Sequence, residues 1–196
     1  MTSAWCYAGL MRTERLLLRH WRDSDRQPFA QLNADTRVME FLPSVLSEQE
    51  SNSLVDRIEA HFQKYGFGLY ATEIRSERRF IGYIGLSVPT FNAAFTVCGD
   101  RVETGQEVLG PRACDGRCSG DCALRIRGIE PARVGFLHGI RNARSLGVMK
   151  KIGMIYDPKD DFGVPRLPVG HILRRHVLYR LSRSTWRLHS PSRRLP

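Results

Sequence analysis

The sequence lacks any apolar run long enough to cross a bilayer, and its first residues lack the basic start of a secretory signal. The apolar stretch at residues 5–11 is too short for either purpose. We therefore expect a cytoplasmic protein that has no membrane partner. With 196 residues, of which 42% are hydrophobic, the chain suits one globular domain of ordinary size.

Acidic residues are absent from residue 162 onwards, where eight arginines lie. The preceding sequence is nearly balanced, with 11 basic and 11 acidic side chains in residues 1–96 and six of each in 97–140. The net charge of +10 is therefore a C-terminal feature, which argues against nucleic acid as the main partner. We expect residues 184–196, rich in Ser, Arg and Pro, to form a disordered basic tail.

The six histidines show no Ser/His/Asp or metal-ligand spacing, but four of the five cysteines lie close together. Cys114, Cys118 and Cys122, with Cys98 and His138, could supply thiolate and imidazole ligands to zinc or an iron–sulfur cluster. Their equal spacing does not match the close cysteine pairs of structural zinc sites, so we expect no metal here. A metal-binding basic module that contacts nucleic acid is the alternative function.

Two helices are predicted in the first third of the chain. Asp23 or Ser24 is placed to cap the first, with Phe29 on its buried side. Ser47 and Glu50 form a capping box for the second, whose apolar residues recur at helical spacing until Gly66 ends it.

Strands are predicted around these helices, beginning at residues 12–19. Residues 68–74 and 80–88 read as a hairpin joined by a short polar link, and residues 175–181 read as an alternating final strand.

A short helix is predicted over residues 142–154. Leu146, Met149 and Ile152 give it one apolar face, and Gly153 follows as a left-handed cap. The apolar run at residues 154–156 then leaves the cap as a strand.

Short motifs along these elements share one resemblance. They are Thr-Glu-Arg-Leu-x-Leu-Arg at residues 13–19, Gly-Phe-Gly at 66–68, Phe-Ile-Gly-x-Ile-Gly at 80–85, and Asn142-x-x-Ser145 followed by Lys-x-Gly-Met at 151–154. The pattern resembles the GCN5-related N-acetyltransferases (GNAT), in the ribosomal-protein-alanine or RimJ/RimL-like branch. The resemblance covers residues 12–96 and 141–183. It implies an α+β fold in one domain over 12–183, with a mixed, mostly antiparallel sheet flanked by helices.

The resemblance also implies a reaction, in which an acetyl group moves from the cosubstrate acetyl-CoA to a primary amine. The acceptor could be a ribosomal-protein N-terminus, another protein N-terminus, an amino acid or an antibiotic amine. In this family the residues at positions Asn142 and Ser145 lie along the pantetheine arm, and Tyr156 could protonate the leaving thiolate. The candidate residues on the substrate side are Phe67, Tyr70 and Tyr83.

Residues 97–140 lack the pattern that the family implies for the middle of the chain. A strand beginning Glu-Ile-Gly, a glycine-rich turn and a long helix are expected there, and the turn binds the CoA pyrophosphate through backbone N–H groups. The sequence instead shows poor helical and strand periodicity. We therefore expect this central strand–turn–helix to be aberrant or disordered, and turnover without the turn to be impaired.

Arginine supplies 26 of the 30 basic residues, which suggests a GC-rich gene. Residues 105–113 can be encoded by the codons GGG CAA GAA GTA CTG GGG CCG CGG GCC. When these codons are translated from one nucleotide further along, they give Gly-Lys-Lys-Tyr-Trp-Gly-Arg-Gly-Pro. The neighbouring residues likewise give Glu-Ile-Gly before this turn and a helical sequence after it. Our hypothesis is that residues from about 97 to 140 are out of frame, with the frame restored just before Asn142.

Overall fold

The computed structural model describes residues 10–12, 15–40, 42–88, 96–101, 134–139, 146–147, 149–150, 153–163 and 167–181. Its strands are β1 (Leu10–Arg12), β2 (Leu16–Arg19), β3 (Leu69–Ile74), β4 (Arg79–Ser87), β5 (Thr96–Arg101), β6 (Val134–Gly139), β7 (Ile155–Tyr156), β8 (Phe162–Gly163) and β9 (Arg175–Leu181). Its α-helices are α1 (Arg26–Ala34) and α2 (Glu48–Tyr65), and 3-10 turns cover Asp23–Asp25 and Pro158–Asp160. None of the helices in these ranges is both long and apolar enough to cross a membrane.

All nine strands join one sheet in the order β1-β2-β3-β4-β5-β6-β9-β7, and β8 also pairs with β9. Strands β5 and β6 are parallel, whereas the other neighbouring pairs are antiparallel. The predicted fold class, a mixed and mostly antiparallel sheet flanked by helices, is confirmed. Strands β5 and β6 lie at the two ends of residues 97–140, where the sequence predicted no regular element.

The second helix and the hairpin are confirmed. The Ser47 hydroxyl accepts the Glu50 N–H at 3.3 Å, and the Glu50 carboxylate accepts the Ser47 N–H at 2.8 Å. Helix α2 ends at Gly66, whose φ of +73° is the left-handed conformation that glycine adopts without strain. Strands β3 and β4 then pair from Leu69↔Gly85 to Ile74↔Arg79.

Two predicted boundaries are corrected. Asp23 and Ser24 belong to a 3-10 turn, and α1 begins only at Arg26. The carboxylate of Asp25, the N-cap, accepts the Arg22 N–H instead of capping α1, so the turn and not a side chain sets the start of the helix. The chain also forms a strand before the predicted one, since β1 begins at Leu10 and pairs with β2.

Hydrophobic clusters cover both faces of the sheet at strands β2, β3 and β4. Tyr70 and Ala71 are neighbours on β3, so their side chains point to opposite faces. The cluster between the sheet and the two helices contains Trp21, Phe29, Val55, Ile58, Ala71 and Tyr83. The cluster on the other face contains Leu16, Leu18, Tyr70, Ile81 and Ile84. Each large side chain buried in this way stabilises the fold by about 1.5–3 kcal/mol relative to exposure.

A buried ion cluster ties β2, the first 3-10 turn and β3 together. The Arg19 guanidinium donates to both Asp25 oxygens, at 2.6 and 2.8 Å, and to Glu73 at 2.9 Å. The three residues are only 4%, 2% and 6% exposed. These carboxylates hold the pKa of Arg19 above its ordinary value despite its burial, so the guanidinium stays charged. Removing it would leave two buried carboxylates without a counter-charge.

Replacing Arg19 by Met should therefore lower the free energy of unfolding by about 3–5 kcal/mol, the range found when one partner of a buried ion pair is removed. Urea unfolding measures this change. The matched control is Arg79→Met, which removes an exposed pair with Glu77 and should cost less than about 1 kcal/mol. Equal losses in the two variants would contradict the structural role assigned to Arg19.

Candidate active site

The sheet opens between its two parallel strands. Pairing of β5 with β6 covers Thr96↔Val134, Val97↔Gly135 and Cys98↔Phe136, and it stops there. In the second half of each strand, residues 99–101 pair with β4 and residues 137–139 pair with β9. We call the space between these two half-strands the β5–β6 opening. Within the described strands, the backbone groups that face it have no ladder partner, and a bound ligand could supply one.

Glycine is frequent on the strands that border the opening. Gly99 lies on β5 and Gly139 ends β6, so neither carries a side chain that could block the backbone from a ligand. Gly85, the register partner of Gly99, has a different reason to be glycine. A Cβ there would lie 2.0 Å from the Gly68 carbonyl oxygen, so the close packing of β4 on the preceding turn requires it.

A helix lies between β6 and β7, as the sequence predicted. Residues 146–147 and 149–150 are helical, and Met149 is 1% exposed. The Met154 N–H donates to the Met149 carbonyl and the Gly153 N–H to the Lys150 carbonyl, at 3.0 and 3.1 Å. With φ of +77° at Gly153, these two bonds form a Schellman cap, and the predicted helix end is confirmed. Asn142 and Ser145 lie outside the described residues, so their cofactor role stays a prediction.

The three aromatic residues predicted on the substrate side lie apart from one another. Tyr70 is 2% exposed, and its ring lies 4.8 Å from that of Phe62, a residue of α2 that packs against the clusters on both faces. Burial raises its pKa, so the phenol stays neutral. Tyr83 is 1% exposed in the cluster beneath the helices, although its backbone pairs with Arg101 beside the opening. Phe67 is half-buried in the turn before β3. Their role in substrate binding stays a prediction.

Tyr156, the candidate acid, lies on β7. It is 36% exposed and stacks on Tyr179, with ring centroids 5.1 Å apart. Partial burial and the Asp161 carboxylate raise its pKa, whereas Arg175 lowers it. The net effect raises the pKa of a phenol that is protonated at neutral pH in any case, as a proton donor must be. Strand β9 separates β7 from β6, so Tyr156 lies roughly 10 Å, two strand spacings, from β6, and the opening lies beyond β6.

His176 is a titratable residue one strand away from the opening that the sequence analysis did not identify. It pairs with Gly139 on one side and with Phe162 on the other. Its ring lies 6.1 Å from that of Phe162, and its Nδ1 lies 3.2 Å from the Arg174 carbonyl oxygen. The sequence has no spacing signal for this position, because only the strand register brings His176 next to Gly139 of β6.

The hypothesis of a cysteine metal site is not addressed by the described side chains. Cys114, Cys118 and Cys122 lie outside the described residues, and of Cys98 the backbone alone is described. Among the side chains that are described, no three His, Cys, Asp or Glu gather as metal ligands would.

Comparison with known proteins identifies this architecture. The model of the acetyltransferase (GNAT) domain family matches residues 15–155. An acetyltransferase from Agrobacterium tumefaciens is similar in structure, with a TM-score of 0.68, 18% identity, and 93% of this chain and 99% of that chain covered. The ribosomal-protein-S5-alanine acetyltransferase from Vibrio fischeri gives 0.65 at 16% identity, covering 91% and 99%. Mycobacterium smegmatis RimJ in complex with CoA-disulfide gives 0.65 at 15% identity, covering 92% and 90%.

The electrostatic setting of Tyr156 can be tested by two substitutions with opposite effects. Asp161→Asn removes the neighbouring carboxylate and should lower the pKa of Tyr156, whereas Arg175→Met removes a positive charge and should raise it. Titration of tyrosine ring carbons by NMR measures both changes, and Tyr156→Phe identifies the resonance. A pKa that neither substitution moves would show that the two charges do not act on this phenol.

Proposed function

The chain belongs to the GNAT family of acetyltransferases, and we propose that it transfers the acetyl group of acetyl-CoA to a primary amine. The observation that carries this proposal is the β5–β6 opening, where two parallel strands separate towards their carboxyl ends. The similar RimJ structure holds CoA-disulfide, which supports a CoA thioester as the donor here. A narrow gap bordered by backbone suits the extended, amide-containing pantetheine arm.

The proposed reaction needs two proton transfers. The neutral amine attacks the thioester carbonyl carbon, a C–N bond forms and the C–S bond breaks. A base accepts the amine proton, and an acid returns a proton to the CoA thiolate. Unpaired backbone N–H groups in the opening would stabilise the oxyanion. Tyr156 is our candidate acid, and its distance from β6 requires the thioester sulfur to lie towards β9.

Two further residues are proposed to hold the donor. Asn142 follows the end of β6 by three residues, and Ser145 directly precedes the helical residues 146–147. An amide and a hydroxyl at these positions could bond to the two amide groups of pantetheine. Phe67, Tyr70 and Tyr83 are proposed to shape the acceptor side.

The acceptor is proposed to be a protein N-terminus or a small amine. A structural relative named as a ribosomal-protein-S5-alanine acetyltransferase supports the ribosomal-protein-alanine branch. We place the activity in the cytoplasm, in a single domain over residues 12–183 that is followed by a basic tail at 184–196.

We also propose that residues from about 97 to 140 are read out of frame. The in-frame flanks carry the family motifs, whereas the intervening sequence lacks the glycine-rich turn that would bind pyrophosphate. The nucleotide sequence decides this directly. Codons that cannot yield Gly-Lys-Lys-Tyr-Trp-Gly-Arg-Gly-Pro when read one nucleotide forward from residue 105 would overturn the proposal.

Calorimetric titration with acetyl-CoA and with acetyl-pantetheine, which lacks the pyrophosphate, tests both proposals. The chain as given should bind the two ligands with similar affinity, because it lacks the phosphate-binding turn. A chain with the alternative reading restored should bind acetyl-CoA at least about 100-fold more tightly, since each charge-assisted contact contributes about 1.5–3 kcal/mol.

Three substitutions localise the binding in this experiment. Asn142→Ala and Ser145→Ala should each weaken both ligands by roughly fivefold, as for the loss of one hydrogen bond, whereas Ser53→Ala on the exposed face of α2 should not. A strong preference of the given chain for acetyl-CoA would contradict the out-of-frame proposal. Failure of both proteins to bind either ligand would contradict the acetyl-transfer proposal.

A further inference from the structure

His61, in the last turn of α2, joins two segments that are distant in the sequence. Its Nδ1 lies 2.8 Å from the Phe67 carbonyl oxygen, and its Nε2 lies 3.0 Å from the backbone nitrogen of Val88. A carbonyl oxygen can only accept and a backbone N–H can only donate. Both bonds therefore form only when Nδ1 carries the hydrogen and Nε2 carries a lone pair. The structure thus assigns a neutral ring with one defined tautomer.

The surroundings of the ring favour this neutral form. His61 is half-buried, and its ring lies 4.5 Å from that of Tyr65 and 5.4 Å from that of Phe67. Burial lowers the pKa of His61, and the positive charge of Lys64 lowers it further, although the bond to the Phe67 carbonyl acts in the opposite direction. The other segments in contact, residues 66–68 and Ser87 with Val88, have no ionisable side chains. Lys64, on the same helix, is thus the charge to consider.

A second hydrogen bond lies beside the His61 bridge and does not titrate. The Leu86 N–H donates to the Gly68 carbonyl at 3.2 Å, in the place where Gly85 packs against the same turn. Two links therefore hold the turn at residues 66–68 against the end of β4. One is the Leu86–Gly68 hydrogen bond, which does not depend on pH, and the other is formed by the two hydrogen bonds of the His61 imidazole.

We infer that His61 is a pH-sensitive positioning residue, which holds the turn at residues 66–68 against the end of β4 while its ring is neutral. Protonation places a hydrogen on Nε2, which can then no longer accept the Val88 N–H. Val88 is released, and with it the start of the segment that leads towards β5. The effect on the amine acceptor rests on the proposed function, because Phe67 in this turn is a candidate acceptor-side residue.

The sign of the effect follows from the direction of the pKa shift. The pKa of His61 is lowered in the folded chain, so the folded state favours the neutral ring. Its contribution to stability is fully present above the ordinary histidine pKa of about 6.5 and is lost as the pH falls through the folded value. The response should therefore lie at mildly acidic pH.

Amide hydrogen exchange, followed by NMR from pH 7.5 to pH 5.0, tests the inference without any acetyl donor. After correction for intrinsic rates, the protection of the Val88 amide should fall roughly fivefold more than that of the Leu86 amide, as for the loss of one hydrogen bond. Imidazole nitrogen shifts should show the hydrogen on Nδ1 at pH 7.5. Parallel changes at Val88 and Leu86, or a hydrogen on Nε2, would overturn the inference.

Two variants complete the test. His61→Gln can still accept a hydrogen bond but does not titrate, so the difference between Val88 and Leu86 should no longer depend on pH. His20→Gln, an exposed control, should retain the wild-type difference. If His61→Gln does not fold, the comparison within the wild-type chain still decides.

Activity then separates positioning from mere stabilisation. As the pH falls from 7 to 5.5, the KM for the amine should rise more in the wild type than in His61→Gln. The KM for acetyl-CoA should change equally in the two proteins. A pH-independent ratio of the amine KM values would limit His61 to a structural role. Absence of acetyl transfer in both proteins would count against the proposed function and would leave the exchange result standing.

Discussion

The sheet depends on a parallel pairing that spans only three residues on each strand. Every other pair of neighbouring strands is antiparallel, and several of these pairs are joined by short connections. Parallel strands instead need a long crossover connection between them. Residues 102–133, between β5 and β6, are long enough for one. The short pairing joins two halves of the sheet. One half contains β1 to β5, and the other contains β6 to β9. The three paired positions hold the halves together, and the carboxyl ends of β5 and β6 stay separated because the pairing stops before them. A gap of this kind gives a ligand access to backbone groups that a complete ladder would occupy.

The first half of the sheet is built to stay rigid beside this gap. Hydrophobic clusters bury both faces of β2 to β4, and Arg19 joins two strands and the turn before α1 through buried carboxylates. His61 adds a bridge at the end of β4, where the chain turns towards β5. In the second half, Val177, Leu178 and Tyr179 of β9 are buried, and Asp161 pairs with the exposed Arg175.

Local signals in the sequence predicted the elements that are determined locally. The Ser47 capping box, the glycine caps at Gly66 and Gly153 and the hairpin each depend on residues a few positions apart, and all four were predicted. Strands β5 and β6 were not, because their glycine-rich sequences have little periodicity and their extended form depends on neighbouring strands. The contacts of Arg19 with Glu73 and of His61 with Val88 span 54 and 27 positions, which no local pattern encodes. His176 lies next to Gly139 of β6 through register alone, for the same reason.

The account depends most directly on where the donor binds. The decisive measurement is a crystal structure of the protein with CoA at saturating concentration. The account predicts density for the pantetheine arm between residues 99–101 and 137–139, with its sulfur directed towards β9. Density for CoA elsewhere, for example on the exposed face of α2, together with β5 and β6 paired along their full length, would contradict it.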